Sequence, residues 1–413
     1  MFKHQVILWC LFGLCVAKDV KFTKCGANGF ICSTAGKLQI ITYRCPIEEK
    51  DLLFKINDFG YPPNDISLII ENCLEITVSF QCSSQVIYIK SMFIRNIGKL
   101  KIHQDPQYQT QLPFQVTLKN VNYIKDIPSF AFSKIDVASR NVECFTPLFD
   151  LKFLHFENVG IGNFQSNGIY MPNHGGNVFF NKVNIGKMRR SAISVNMSTP
   201  YIFQMKNSAI GIVGNQAMQV TGGGMIFSKN TFVEISAAGI GGPVDFFYFN
   251  ENAIDTLQYQ GISITSQTVW IWKNVFKYMI TGALEKISPG PTAHSLGEKA
   301  SYKFYLNRID SMEERSFHPD FQAYEMTPTE MFVKTNRVLC SCENSGWLIS
   351  QTGGTSTPTE RFYEKFIAKK GGNYCSSSCS LSIADTEKMI HDGKCEENVS
   401  VESLCQNQKK KLV

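Results

Sequence analysis

FSKNTFVEISAAGI (227–240), FNENAIDTLQYQGI (249–262) and IWKNVFKYMITGAL (271–284) are three renderings of one pattern. A charged residue precedes an Asn, and an apolar residue stands three places before that Asn and two after it. The pairs are Phe227 and Phe232 about Asn230, Phe249 and Ile254 about Asn252, and Ile271 and Phe276 about Asn274. Phe304 and Ile309 frame Asn307 in the same way, and Val333 and Val338 frame Asn336. A small residue followed by an apolar one comes about ten places later, as in Gly239-Ile240, Gly261-Ile262 and Gly282-Ala283.

Working outward, the Asn column extends to Asn72, Asn96, Asn120, Asn158 and Asn207. Successive steps along the column are 24, 24, 38, 49, 23, 22, 22, 33 and 29 residues, and Lys182 stands where the 49-residue step skips a place. The second column extends to Gly168-Ile169, Ala192-Ile193, Ala217-Met218 and Gly346-Trp347. Repeats of this length built from short β-type runs mark a solenoid. The pattern predicts an all-β parallel β-helix with one coil per repeat. Asn tolerates the left-handed backbone of a tight bend, and its amide both donates and accepts. Stacked at the strand spacing of about 4.8 Å, the side chains can bond along the axis as Asn ladders do. The expected ladder is a single column turned inward.

Hydrophobic content of 44% with 18% charged residues is that of a globular chain rather than a disordered one. The 31 Phe suit an interior in which rings stack coil upon coil. A net charge of +6, dispersed along the chain, is too mild to argue for nucleic acid. Met1 to Ala17 reads as a secretory signal, with Lys3 and His4 ahead of an apolar run; that run is shorter than the ~20 residues of a membrane span. Asn196-Met-Ser198 and Asn398-Val-Ser400 are glycosylation sequons. The expected product is exported, with no membrane span.

Of the 14 Cys, 12 remain once Cys10 and Cys15 leave with the signal, and they concentrate at the two ends. Solenoid ends expose strand edges and need atypical caps. Cys340, Cys342, Cys375, Cys379, Cys395 and Cys405 are therefore expected to staple a C-terminal cap. Zinc is the alternative for Cys340-Ser-Cys342 and the Cys375 to Cys379 spacing, but export favours disulfides. The expected organisation is a signal at 1–17, an N-terminal cap at 18–65, a parallel β-helix at 66–339 and a Cys-rich C-terminal cap with a basic tail at 340–413. Insertions fall near Pro128 to Pro147 and Ser288 to Gly297, and a helix is expected over Thr359 to Lys370.

The Asn-bearing repeats over about Ile66 to Leu339 resemble the right-handed parallel β-helix superfamily of pectate lyases and polygalacturonases, in repeat pattern only. That resemblance implies the fold; function has to be argued from the site. The polygalacturonase Asn-Thr-Asp and Asp-Asp motifs are absent. Asn173-His174-Gly175-Gly176 matches the His motif by half, and Arg308-Ile309-Asp310 departs from the basic motif at its last residue. Inverting hydrolysis needs two carboxylates about the scissile bond, and a lyase needs several around calcium. Asp245, Asp255 and Asp310 form no column. The Lys-Asn-x-Phe coils and the run from Leu339 to Trp347 also resemble a group of secreted arthropod β-helix proteins, which implies export and the fold but no reaction.

Strand side chains alternate, so with the places three and five before each Asn of the second half facing inward, the places two and four before it face outward. In the later coils they hold Tyr248, Trp270, Trp272 and Tyr305, the candidate binding residues. Aromatics exposed on a rigid sheet suit sugar rings or an aromatic-rich partner. The sequence thus predicts a secreted non-catalytic protein, binding or structural, that engages polysaccharide or matrix components through one face. The alternative is a polysaccharide lyase or glycoside hydrolase with a non-standard site. No catalytic residue, cofactor or metal is expected.

Overall fold

The computed structural model of the chain describes residues 18–46, 49, 52–55, 66–80, 89–103, 114–133, 151–290, 299–339, 356–367, 372–375 and 383. The segment 1–17 read as a signal, most of both insertions and the run from Cys340 to Trp347 lie outside the described residues. Nearly all strand pairings are parallel and join one coil to the next, so the fold is a parallel β-solenoid. Each full coil crosses three sheets. The first sheet passes through the strand Leu38–Arg44, the start of Ile66–Ser79, and on through Asn177–Met188, Ile202–Lys206, Gly224–Ser228 and Ile262–Trp272 to Thr329–Lys334. It thus begins inside the segment 18–65 read as a cap. The antiparallel partner of Leu38–Arg44 is Phe30–Ala35, and the disulfides Cys25–Cys32 and Cys45–Cys73 bind this hairpin region to itself and to the first coils.

The corner between the first and second sheets explains the Asn column. One residue per coil there takes a left-handed backbone: Asn72 (φ 59°), Asn96 (57°), Asn120 (53°), Asn158 (55°), Lys182 (55°) and Asn207 (51°). Lys182 occupies the corner of the coil that the sequence column skipped. These Asn side chains lie at the surface and still ladder, with each Nδ2 donating to the preceding Oδ1 at 3.1, 3.1 and 3.0 Å from Asn96 to Asn158. From the next coil onward the left-handed residue is Lys229, Glu251, Lys273, Leu306 or Thr335, and the Asn is the residue after it.

The ten Asn therefore divide between two adjacent places, and the expected single inward column holds only for the later five. Asn230, Asn252, Asn274, Asn307 and Asn336 are buried. The place they fill is held in the earlier coils by Cys73, Ile97, Val121, Val159, Val183 and Ser208, all buried as well. The physical reason is that a left-handed place favours Asn whether or not its side chain is buried, while an inward place accepts an amide only if every bond it needs is supplied.

The second corner supplies the small-apolar column. Asn167, Ser191, Gln216, Ala238 and Gln260 are left-handed there, and the small residue that follows is buried in each case. The column is tight: a Cβ on Gly261 would sit 2.6 Å from Leu257 Cδ1. In the next coil Gly282 is itself left-handed, and Ala283-Leu284 take the small and apolar places. Inside, the rings stack along the axis as the Phe content suggested, for example Phe156 on Phe180 at 4.8 Å and 4°. At the C-terminal end the helix Pro358–Phe362, continued by Tyr363–Ile367, buries Phe362 against Phe317 and Phe321 and Tyr363 against Phe317, and Ile367 is buried as well. Cys375 is disulfide-bonded. Cys340, Cys342, Cys379, Cys395 and Cys405 lie outside the described residues.

Candidate functional site

Two regions gather chemistry: the outer face of the first sheet and a cleft at the second corner of the last coils. On the sheet, Tyr248 pairs in register with Trp270, which pairs with Lys303, which pairs with Phe332. The adjacent outward column is Asn250, Trp272, Tyr305 and Lys334. The residues between them, Phe247, Phe249, Val269, Ile271 and Phe304, are fully buried, and the aromatics named from sequence are half-buried on the outer side. Phe246, Lys303, Phe332 and Lys334 share this face and were not singled out. The count of two and four places before Asn307 and Asn336 would have found the last three.

The ring geometry is specific. Tyr248 stacks on Trp270 with centroids 5.0 Å apart and planes at 25°. Trp272 and Tyr305 are parallel to 6° at 6.3 Å. Phe246 lies 4.9 Å from Tyr248, and the Lys303 ammonium lies 4.8 Å from the centre of the Trp270 ring. Trp270 Nε1 donates to Ser301 Oγ at 3.3 Å. The two pairs are turned against each other, with Trp272 at 75° to both Tyr248 and Trp270, so the four rings do not form one flat platform.

Towards the N-terminal end the same face is ionic. The Glu71 carboxylate, its side chain 4% exposed, bridges Arg44 at 2.6 Å and Arg95 at 2.5 Å. Burial pushes this carboxyl up, and the hydrogen bonds from the two guanidinium groups outweigh it, so the net shift is down. Lys119 pairs with Glu157 at 2.9 Å in the following coils. His155 sits between them and the aromatics, against Phe153 and Phe179; burial lowers its pKa.

The cleft, about 630 Å³, lies between the corner at Tyr259 and Gln260 and the N-terminal end of the helix Pro358–Phe362. His318 lines it and is 4% exposed. Its Nδ1 lies 2.7 Å from the Pro319 carbonyl oxygen, which requires the proton on Nδ1 and leaves Nε2 as an acceptor, 3.5 Å from Thr359 Oγ1. Burial holds this imidazole below its ordinary pKa. Three carboxylates of the cleft have structural work. Glu285 pairs with Arg315, Asp320 accepts from the Ala323 N–H at 3.1 Å, and Glu360 accepts from the Ser356 and Thr357 N–H groups at 2.9 and 3.0 Å. The sequence did not reveal this site, because its residues come from separate coils and a helix.

His174 lies on the strand Ile169–Gly175, and its side chain is outside the described residues. Asp255 and Asp310 are paired, with Lys277 and Arg308, and Asp245 accepts from Thr199 Oγ1 at 2.6 Å. Asn196 is exposed at the end of Ile193–Met197, and Asn398 lies outside the described residues. Among the described residues no three His, Cys, Asp or Glu side chains gather to hold a metal, and no helix is long and apolar enough to cross a membrane. Fold and faces define a parallel β-solenoid protein. Comparison with family models, curated proteins and solved structures returns no match, so neither family resemblance gains support beyond the repeat pattern.

Proposed function

We propose that this is an exported, non-catalytic extracellular protein, binding or structural, that engages polysaccharide or matrix components along the outer face of its first sheet. The observation that supports this reading is the row Tyr248, Trp270, Trp272 and Tyr305, half-exposed and locked in register on a rigid sheet. Contiguous apolar surface of this kind marks interaction sites, and Tyr and Trp are enriched at them.

The test is retention of the full chain on immobilised polysaccharides and on extracellular-matrix protein, for the wild type and for W270A/W272A. The variant is expected to lose retention while its urea midpoint falls only modestly, because each ring gives up surface stacking of about 0.5–1.5 kcal/mol rather than the 3–5 kcal/mol of a core aromatic. A wild type retained by none of these surfaces defeats the reading. A core-sized loss of stability in the variant removes the support drawn from the exposed row.

A second reading, a polysaccharide lyase or glycoside hydrolase, draws on the cleft lined by the buried His318. Against it, the cleft carboxylates Glu285, Asp320 and Glu360 are already engaged. Release of reducing ends or unsaturated products from acidic and neutral polysaccharides, abolished by His318→Gln, would favour it.

A further inference from the structure

We infer that the ligand of the first-sheet face is an acidic polysaccharide, carboxylated or sulfated, lying along the solenoid axis over the later coils. This rests on the reading that the face is a binding face, and it replaces neutral sugar stacking as the mode of recognition. The first argument is the ring geometry. Tyr248 and Trp270 are stacked on one another and Trp272 lies parallel to Tyr305, while Lys303 covers Trp270 and Phe246 lies against Tyr248. Trp270 is flanked along its column by Tyr248 on one side and the Lys303 ammonium on the other, which disfavours face-on stacking of a neutral sugar there, while its edge, the positive end of the ring quadrupole, suits an anion.

The second argument is charge. Along this face and its corner the later coils place Lys206, Lys229, Lys273, Lys303 and Lys334, against the carboxylates Glu251 and Glu330. The ion pairs these two carboxylates make here, Lys229 with Glu251 and Lys303 with Glu330, are both loose at 3.8 Å. The neighbouring second sheet differs. There Lys277 and Asp255, and Arg308 and Asp310, close to 2.6 Å and neutralise each other. Lysines recurring from coil to coil set positive charge at multiples of about 4.8 Å, a linear array matched to a linear polyanion rather than to a compact anion.

The experiment measures retention of the full chain on heparin and polygalacturonate, on cellulose and chitin as neutral counterparts, and on double-stranded DNA, over a salt gradient. Variants are Lys206→Gln/Lys273→Gln/Lys303→Gln on the face and Lys277→Gln on the second sheet, with urea midpoints to establish folding. The expected result is binding to an acidic glycan that weakens with salt. The triple variant should bind about tenfold more weakly, the summed effect of three surface ion contacts, and Lys277→Gln should be unchanged. Three results overturn the inference: neutral glycans bound as tightly as acidic ones, an unaffected triple variant, or DNA bound as tightly as the glycans. If neutral binding is lost in W270A/W272A, the binding-face reading survives while this inference fails. If neither glycans nor matrix protein bind, both fail.

Discussion

Replacing Asn252 with Leu tests the buried ladder at its centre. Asn252 is 1% exposed. Its Oδ1 accepts from the backbone N–H of Asn230 at 2.9 Å and from Asn230 Nδ2 at 3.0 Å. Its Nδ2 donates to the Phe227 carbonyl and to Asn274 Oδ1, both at 3.1 Å. After the substitution Asn230 Nδ2 keeps its bond to the Met205 carbonyl, and Asn274 Oδ1 keeps the N–H of residue 252. The backbone N–H of Asn230 is stranded, and the Phe227 carbonyl loses its amide donor. Each such group costs about 1–3 kcal/mol, and the added apolar burial of Leu offsets roughly 1–2 kcal/mol. At mid-range values the net expectation is a loss of about 2–3 kcal/mol. Asn96→Gly is the comparison. Asn96 is exposed, water can replace its side-chain bonds, and Gly adopts a φ of 57° without strain, so a change within about 1 kcal/mol is expected. Urea unfolding followed by the fluorescence of Trp270 and Trp272 reads both. If Asn252→Leu moved the midpoint no further than Asn96→Gly, the distinction between a structural buried ladder and a decorative surface one would be refuted.

Two further outcomes follow from the structure. The Cys45–Cys73 bridge closes a separation of 28 residues, so Cys45→Ala/Cys73→Val should cost about 3–4 kcal/mol; Val suits position 73 because Val121 and Val159 fill that place in later coils, and a reductant-independent wild-type midpoint equal to the variant's would contradict this. His318 and His155 both titrate below their ordinary value of 6.5, chiefly through burial. On acidification the unfolded chain takes up these protons first, so their contribution to stability is complete above pH 6.5 and is lost as pH falls below it. His318→Gln should flatten the fall in urea midpoint as pH drops below about 6.5, whereas a profile as steep as wild type would remove His318 from the account.

The left-handed corner was legible from Asn frequency alone, down to Lys182 filling the skipped place, because few residue types accept that backbone without cost. The one-residue slip between Asn207 and Asn230 was hidden, since coil lengths vary and a step of 23 looked like another coil rather than a coil of 22 plus a shift. The apolar flanks carried the answer. Ile94 and Ile97 stand two before and one after Asn96, whereas Phe227 and Phe232 stand three before and two after Asn230. Counted back through strand alternation from the apolar residue that follows, Ile97 puts Asn96 outside and Phe232 puts Asn230 inside; the left-handed corner breaks the alternation on the preceding side. The outward parity of Trp270 and Trp272 was likewise readable. Their stacking was not, because the pattern says which side a ring is on and nothing about how it is tilted. The cleft was beyond reach for a different reason: Tyr259, Glu285, His318 and Thr359 meet only after coils and helix are assembled.

The buried ladder has a direction. Each Oδ1 from Asn252 to Asn373 receives the N–H and the Nδ2 of the Asn one coil earlier, and each Nδ2 from Asn230 to Asn336 reaches on to the next Oδ1. A coil between Asn230 and Asn336 therefore offers the same sockets below and the same plugs above as its neighbours, and any one is interchangeable with another under translation. What cannot be translated are the terminators. Ser208 receives the Val183 N–H through its hydroxyl and sends its own N–H to Asn230, while Asn373 turns its amide to the Val333 and Phe366 carbonyls. The repeating bonds thus set no length for the ladder itself. Its extent is bounded by Ser208 and Asn373, while the solenoid runs on through the earlier coils with apolar residues in the same place.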